Sequence, residues 1–260
     1  MIHVIRAELT KLARRRVLAA AGALSLVFAA VASLTVFLSA DPGVQRGRVP
    51  TLGSLAEAGG GTEAFAMGVS VTGLLVLVLF VANVTGEISR GTFRTLLMRE
   101  PRRLRLLAGK MAALLGFTAL VLAGAAVLSW GASLLIAPTQ DVATSEWLTL
   151  GAVSENLSAY GTALLTVGMW ATLGMALGVI LRSTPLALGV GVAWAGPLEH
   201  LTQDAWGGAD SWFPGLLLEA VAAGGTPEVD FSRALPMALL YALAAAAAAA
   251  VLFRRRDVTA

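Results

Sequence analysis

Cysteine is absent from this sequence of 260 residues, and histidine occurs twice, at His3 and His200. The absence of cysteine excludes disulfides, thiolate metal sites and cysteine nucleophiles, but it does not indicate a compartment. Two distant histidines leave little material for a histidine-rich metal site. Charged residues are also scarce, at 13% against about 25% in soluble domains. With 57% hydrophobic residues and a mean hydropathy of +0.78, this is the composition of a membrane protein.

A phosphate-binding loop of the form G-x4-G-K-[ST] is also missing. Gly109-Lys110 is the nearest approach, but Met111 follows it and no suitable glycine precedes it. Without such a loop, the chain has no glycine-rich backbone cradle for nucleotide phosphates. We therefore expect that the chain is not an enzyme, and that it binds no cofactor and no metal of its own.

Long apolar runs dominate what is present. A helix needs about 20 apolar residues to cross a hydrocarbon core about 30 Å thick. Six runs qualify, and they predict an all-α membrane protein with a single transmembrane domain over residues 1–260. The predicted spans are 17–38, 66–85, 111–137, 157–181, 185–202 and 234–253. Gly196-Pro197 interrupts the fifth, and the shorter run 213–223 that follows predicts a re-entrant or outer interfacial helix.

The basic residues predict the orientation. If both termini are cytoplasmic, sixteen of the nineteen lysines and arginines lie inside, which leaves only Arg46, Arg48 and Arg233 outside. We therefore expect a multi-pass protein of the cell (plasma) membrane with both termini in the cytoplasm. The alternative is that the N-terminus is a secretory signal peptide. Signal cores run about 7–15 residues, however, and this apolar run exceeds twenty.

Residues 1–16 show a helical pattern before the first span. Ile2, Ile5, Leu9 and Leu12 recur at helical spacing, and charged residues occupy the other positions. This pattern predicts an amphipathic helix that lies in the headgroup plane. The simpler interpretation, a basic anchor that only sets topology, is compatible with it.

The loop 86–110, between the second and third spans, holds seven of the nineteen basic residues. Gly91-Thr92 can open a short helix with Thr92 as its N-cap, and Pro101 would stop it. Phe93, Leu96 and Leu97 would then lie on one side, as an apolar face able to dock on a partner. The alternative is a basic loop that fixes topology or contacts anionic lipid.

These segments together resemble the ABC type-2 permeases, the membrane subunits of ATP-binding-cassette exporters. The matching elements are the loop pattern Glu87-x3-Gly91-Thr92-x-Arg94-x-Leu96-Leu97, then Pro101-x-Arg103 and Gly109-Lys110, the N-terminal Glu8-Leu9-x-Lys11-x3-Arg15 and the closing Phe253-x2-Arg256-Asp257. The resemblance covers the whole chain, and the loop pattern is its specific part.

The resemblance implies a division of labour. The loop would form a coupling helix that docks on a separate ATPase subunit, present in two copies, which binds ATP and Mg. A second permease copy, identical or related, would complete the assembly in the lipid bilayer, and no nucleic acid is involved. The cargo would be an exported amphipathic drug, peptide or lipid-like molecule. The implied ATPase-coupling residues are Glu87, Gly91, Thr92, Phe93, Arg94, Leu96, Leu97, Arg99 and Arg103, with Arg182 in a second, smaller contact.

Inside the predicted membrane region, Gly174-x3-Gly178 would let two helices approach closely. Spans one to four carry no acid or base at their centres, which argues against an ion-coupled carrier. Glu199, His200 and Glu219 are a candidate outer gate, or else residues of the outer rim.

Two other functions fit parts of the sequence. A membrane anchor or regulator could recruit a cytoplasmic ATPase through the same loop without transporting anything. An intramembrane enzyme would need a catalytic set at membrane depth, for which Glu199-His200 is the only hint.

Overall fold

The computed structural model describes residues 2–40, 50–99 and 102–255, together with their side chains except those of Arg94 and Arg99. These residues fold into helices, and no β-strand occurs among them. The α-helices are α1 Ile2–Leu12, α2 Arg15–Ser39, α3 Leu52–Leu55, α4 Glu63–Ser89, α5 Thr92–Arg99, α6 Arg103–Ile136, α7 Leu150–Leu181, α8 Thr184–Ala193, α9 Glu199–Ala205, α10 Pro214–Ala222 and α11 Phe231–Arg255. The predicted all-α class is confirmed for this part of the chain.

Within the described residues, five helical segments are long and apolar enough to cross a membrane, judged by length and composition. They are Arg15–Ser39, Gly60–Ser89, Arg103–Gln140, Leu150–Leu181 and Phe231–Arg255. Five of the six predicted spans fall inside them, and the helices run several residues beyond most of the predicted ends. The fold is therefore that of a helical multi-pass membrane protein.

The predicted fifth span has a different form. Residues 184–205 are helical throughout, but α8 passes into a π-helical turn at Trp194–Leu198 before α9 begins. Pro197 lies within that turn, where its missing N–H would break a regular helix. The short run 213–223 forms α10, which packs against α11. A short turn with an isolated bridge between Gly225 and Asp230 joins the two.

The chain divides into two compact units. The first consists of the described residues of Met1–Leu12, Val71–Phe117 and Thr166–Ala260, and the second of those of Ala13–Ser70 and Thr118–Leu165. The second unit has a core around Trp147, whose indole Nε1 donates to the Leu55 carbonyl at 2.9 Å. The Phe37 ring packs on the Trp147 ring with centroids 6.3 Å apart.

The first unit holds the loop 86–110 and the helices next to it. Helix α1 begins the chain as predicted, but it ends at Leu12, and Arg14 is extended before α2. Helix α7 packs closely on α4 within this unit. A Cβ at Gly174 would lie 2.6 Å from the Leu77 carbonyl oxygen, and a Cβ at Gly178 would lie 3.2 Å from Val84 Cβ. The two glycines thus bring the backbones of α4 and α7 together.

Candidate functional site

The loop 86–110 begins with a tight turn at the end of α4. Gly91 has φ +68°, a left-handed conformation that costs glycine nothing and other residues more. A Cβ there would meet open space, so the backbone angle is what favours glycine. Thr92 is the first residue of α5, and its hydroxyl donates to the Glu87 carbonyl at 3.1 Å. This bond fastens α5 to α4, which differs from the acceptor role predicted for an N-cap.

The apolar face of α5 points into the protein. Phe93, Leu96 and Leu97 share one side of the helix as predicted, but Phe93 is fully buried and the two leucines are half-buried. The Phe93 ring packs edge-on against Phe253 near the end of α11, with centroids 5.6 Å apart. The prediction that Phe93 forms part of a docking face is therefore wrong, because its side chain is buried against Phe253 and cannot contact a partner. Met98, which is 76% exposed, lies on the solvent-exposed side of α5.

Some of the predicted loop residues cannot be placed. Arg94 and Arg99 lie in α5, but their side chains are outside the described part of the structure, as is Pro101. Arg103 is the first residue of α6, and its Nη1 donates to the Phe253 carbonyl at 3.4 Å. Since the last carbonyls of a helix have no partner within it, this arginine helps to cap α11.

Four charged side chains meet where the loop is anchored. Lys110 Nζ lies 2.7 Å from Glu8 Oε1 and 2.8 Å from Glu87 Oε2. Lys11 Nζ lies 2.6 Å from Glu87 Oε1 and 3.5 Å from Glu8 Oε2. Each lysine thus contacts both glutamates, and we call this ring of alternating charge the ion cluster. It joins α1 to the end of α4 and to the first turns of α6.

The ion cluster is shielded from solvent. The Lys110 side chain is 0% exposed, the two glutamates are 6–7% exposed, and Lys11 is 39% exposed. A buried charge that loses its partner costs several kcal/mol. Loss of either glutamate should therefore destabilise the buried Lys110. The contact of Lys110 with Glu87 Oε2 has the distance of a hydrogen bond but not its angle, and we treat it as an ion pair.

The turn between α7 and α8 lies against the same end of α4. Arg182 has φ +53°, which reverses the chain after α7, and its side chain is partly exposed. Two residues later, the Thr184 hydroxyl donates to the Thr85 hydroxyl at 2.7 Å. The second predicted contact region therefore sits beside the anchor of the first.

Glu199, His200 and Glu219 lie near one another but differ in burial. Glu199 is 1% exposed, and its Oε2 accepts the Leu216 backbone N–H at 2.9 Å, in the first turn of α10. His200 is exposed, with its Nε2 3.4 Å from Glu219 Oε1 and its Nδ1 2.7 Å from the Gly196 carbonyl. Of these three residues Glu199 alone is buried, and the gate stays a prediction.

Sequence reasoning did not assign Glu8, Lys11, Lys110 and Phe253 to the candidate site. Glu8 is the single acid among the five basic residues of 1–16, a pattern that indicates an ion pair. Lys110 stands at the start of a predicted span, the position at which a topology-setting lysine is expected. Because topology already explains a lysine at this position, the sequence did not indicate that Lys110 is buried.

A family model matches residues 20–195, and its description reads "Protein of unknown function (DUF2705)". The match covers about two thirds of the chain, including the loop 86–110, and it leaves out α1, α9, α10 and α11. No curated protein and no solved structure matches the chain.

Proposed function

The chain belongs to the family described as "Protein of unknown function (DUF2705)", and we propose that it is the permease subunit of an ATP-driven exporter. In this proposal a separate ATPase binds the loop 86–110 from the cytoplasm and supplies the energy. A second permease copy completes the pathway. The cargo is an amphipathic molecule.

The ion cluster carries this proposal. A basic loop that only set topology would need charge near the membrane, but it would have no use for a fully buried lysine between two glutamates. The cluster joins the two ends of the loop, at Glu87 and Lys110, to one another and to α1. A force on α5 would therefore reach α4 and α6 together, as a coupling element requires.

Helix α5 has a second connection to the membrane helices. The Phe93 ring contacts the Phe253 ring, and Arg103 donates a hydrogen bond to the Phe253 carbonyl. The start of α5 and the start of α6 therefore both contact α11. Displacement of α5 by an ATPase would thus act on three long helices. Among the α5 side chains that the structure describes, those of Thr92, Thr95 and Met98 are exposed and are available to the ATPase.

The contacts also favour six crossings. The end of α4, the start of α6, the start of α8 and the end of α11 lie at one end of the first unit, as the contacts of Glu87, Lys110, Thr184 and Phe253 require. Helix α11 has 25 residues, or about 37 Å, so Phe231 lies toward the opposite end. In this proposal the chain crosses once more between Thr184 and Phe231, and the helical stretch 184–205 is long enough to do so. An even number of crossings puts both termini on the side of the loop.

Crosslinking from α5 tests the proposal directly. The chain has no cysteine, so Met98→Cys gives a single reactive thiol on the exposed side of α5. In native membranes, a short thiol-directed photocrosslinker at this position should capture a chain that contains G-x4-G-K-[ST], identified by mass spectrometry. Leu150→Cys, 90% exposed and on the predicted outer side, is the matched control and should not capture it.

The outcomes separate the candidate functions. Capture of an ATPase from position 98, together with ATP-dependent substrate movement in proteoliposomes, supports the exporter. Capture without any transport supports the membrane regulator that recruits an ATPase. If position 98 captures no nucleotide-binding chain, or position 150 captures the same chain equally well, the coupling role of α5 is refuted.

A further inference from the structure

Four exposed arginines of the first unit lie where α6 begins and α11 ends. They are Arg102 and Arg105 at the start of α6 and Arg254 and Arg255 at the end of α11, and we call them the arginine patch. The Arg103 Nη1 donates to the Phe253 carbonyl at 3.4 Å, which joins the two helix ends although 150 residues separate them in the chain. Guanidinium groups from two distant segments therefore share one surface.

The arginine patch has no acidic partner in the described part of the chain. The close contacts between acids and bases found there involve Lys11, Lys110 and His200 as the bases. Arg102 and Arg105 also stand at a helix N-terminus, where positive charge is unfavourable, so they do not serve to stabilise α6. The positive-inside rule counts basic residues loop by loop and does not require two distant groups of them to converge. Several like charges held together attract anions, so the patch indicates an anionic ligand.

The apolar sides of α6 and α11 next to the patch are largely uncovered. In the most apolar stretch of each span, 22% of the residues are buried for α6 and 17% for α11, against 50% for the span of α4 and 56% for that of α7. Leu104 and Val251, each within one turn of a patch arginine, are 38% and 47% exposed. Acyl chains cover such helix sides in a membrane, and the polar headgroups lie at the helix ends. A phospholipid on this surface would thus have its chains along the helices and its phosphate at the arginine patch.

Charge and polarity together select the occupant. A second copy of the chain packed through the same surface would bring a second arginine patch against the first, and like charges repel. A soluble partner could meet the arginines but not the apolar helix sides within the membrane. An anionic phospholipid complements both, because its phosphate accepts paired hydrogen bonds from guanidinium groups and its chains are apolar. We propose that the arginine patch binds an anionic phospholipid of the leaflet on the side of the loop 86–110, with phosphate held by arginines of both helices. This binding does not depend on the exporter function.

Lipid binding to the purified full-length chain in dodecyl maltoside tests this inference. Native mass spectrometry measures the affinity for cardiolipin, which is anionic, and for phosphatidylcholine, whose phosphate is balanced by its own ammonium group. The wild type should bind cardiolipin about tenfold more tightly or better. A ligand of the folded state raises the thermal midpoint, so cardiolipin should raise it, whereas inorganic phosphate at the same phosphate concentration should not. The second comparison distinguishes a lipid site from a site for free phosphate.

Two matched variants locate the site. The patch variant combines Arg102→Gln, Arg105→Gln, Arg254→Gln and Arg255→Gln, and it should weaken cardiolipin about tenfold or more while leaving phosphatidylcholine unchanged. The control variant removes the same charge from four exposed arginines near the start of the chain, by Arg6→Gln, Arg14→Gln, Arg15→Gln and Arg16→Gln. It should change the cardiolipin affinity by less than about twofold, because distant exposed charges are screened by salt. If the patch variant does not fold, its α6 pair and its α11 pair of changes, made separately, should each weaken cardiolipin about threefold or more.

Four results would overturn the inference. The first is a wild type that binds cardiolipin no more tightly than phosphatidylcholine. The second is a thermal midpoint that inorganic phosphate raises as much as cardiolipin does. The third is a control variant that loses as much cardiolipin affinity as the patch variant. The fourth is a patch variant that keeps its cardiolipin affinity but no longer supports ATPase capture from Met98→Cys, which would assign the arginines to the partner protein.

Discussion

Lys110 Nζ lies 2.7 Å from Glu8 Oε1, although 102 residues separate them in the chain, and Lys110 is completely buried. The contact makes α1 part of the loop anchor, where the sequence alone suggested an independent interfacial helix. Because Glu87 contacts the same ammonium, one side chain holds the start of the chain and both ends of the loop.

Removal of Lys110 should unfold this anchor. Lys110→Met leaves Glu8 and Glu87 with Lys11 as their shared partner, and an uncompensated buried charge costs about 3–5 kcal/mol. We expect a clear drop in the thermal midpoint, followed by tryptophan fluorescence in detergent. Lys11→Met is the comparison: it also leaves the two glutamates with one lysine, but it should cost less than Lys110→Met, because water reaches this 39% exposed position and can replace part of the lost contact.

A paired change separates charge balance from packing. Glu8→Gln combined with Lys110→Met removes one charge of each sign, so Glu87 and Lys11 remain as a balanced pair. The double variant should be more stable than Lys110→Met alone. If it is less stable by the sum of the two single effects, the four groups do not act as one cluster.

The contact between Phe93 and Phe253 should be detectable as a coupling energy. Phe93→Ala empties a buried position and should cost about 3–5 kcal/mol. In a double-mutant cycle with Phe253→Ala, the edge-to-face pair should contribute about 0.5–1.5 kcal/mol beyond its burial. Met98→Ala, on the exposed side of α5, should change stability by less than about 0.5 kcal/mol. A coupling energy of zero would mean that α5 does not bear on α11 through this pair.

The close approach of α4 and α7 should depend on Gly174. A methyl group there would meet the Leu77 backbone at 2.6 Å, and backbone moves less readily than a side chain. Gly174→Ala should therefore destabilise the protein by about 1–3 kcal/mol. Gly168→Ala, in the same helix but facing open space, should be neutral or stabilising. Equal effects of the two changes on the thermal midpoint would rule out close packing at Gly174.

The turn at Gly91 should respond to backbone angle alone. Its φ of +68° should make Gly91→Ala cost about 1–2 kcal/mol, although no atom lies in the way. Gly91→Asn should cost less, because asparagine adopts the left-handed region more readily. The stability order Gly, Asn, Ala, measured by thermal unfolding, checks this; a reversed order would show that the turn is not held in this conformation.

The sequence predicted the helices well, because runs of about 20 apolar residues leave few alternatives to a spanning helix. It also predicted that Phe93, Leu96 and Leu97 share a face, because helical spacing determines that. It could not say whether the face meets a partner or the chain itself. That depends on where the fold brings Phe253, which lies 160 residues after Phe93 in the chain.

The charged residues were harder to interpret for a related reason. Positive charge beside a span has a sufficient explanation in topology, so Lys110 attracted no separate prediction. Its burial depends on the approach of Glu8 and Glu87 from two other segments. Likewise, the sequence placed Glu199 in one group with its neighbour His200. The π-helical turn and α10 bury Glu199, whereas His200 is exposed.

The account depends most on the side of the membrane where α5 lies, because an ATPase can reach it only from the cytoplasm. Met98→Cys and Leu150→Cys, each the single cysteine of its variant, can be treated in intact cells with a membrane-impermeant maleimide. We predict that Cys at 150 reacts in intact cells and that Cys at 98 reacts only after permeabilisation. Labelling of position 98 from outside intact cells would contradict the proposed coupling role.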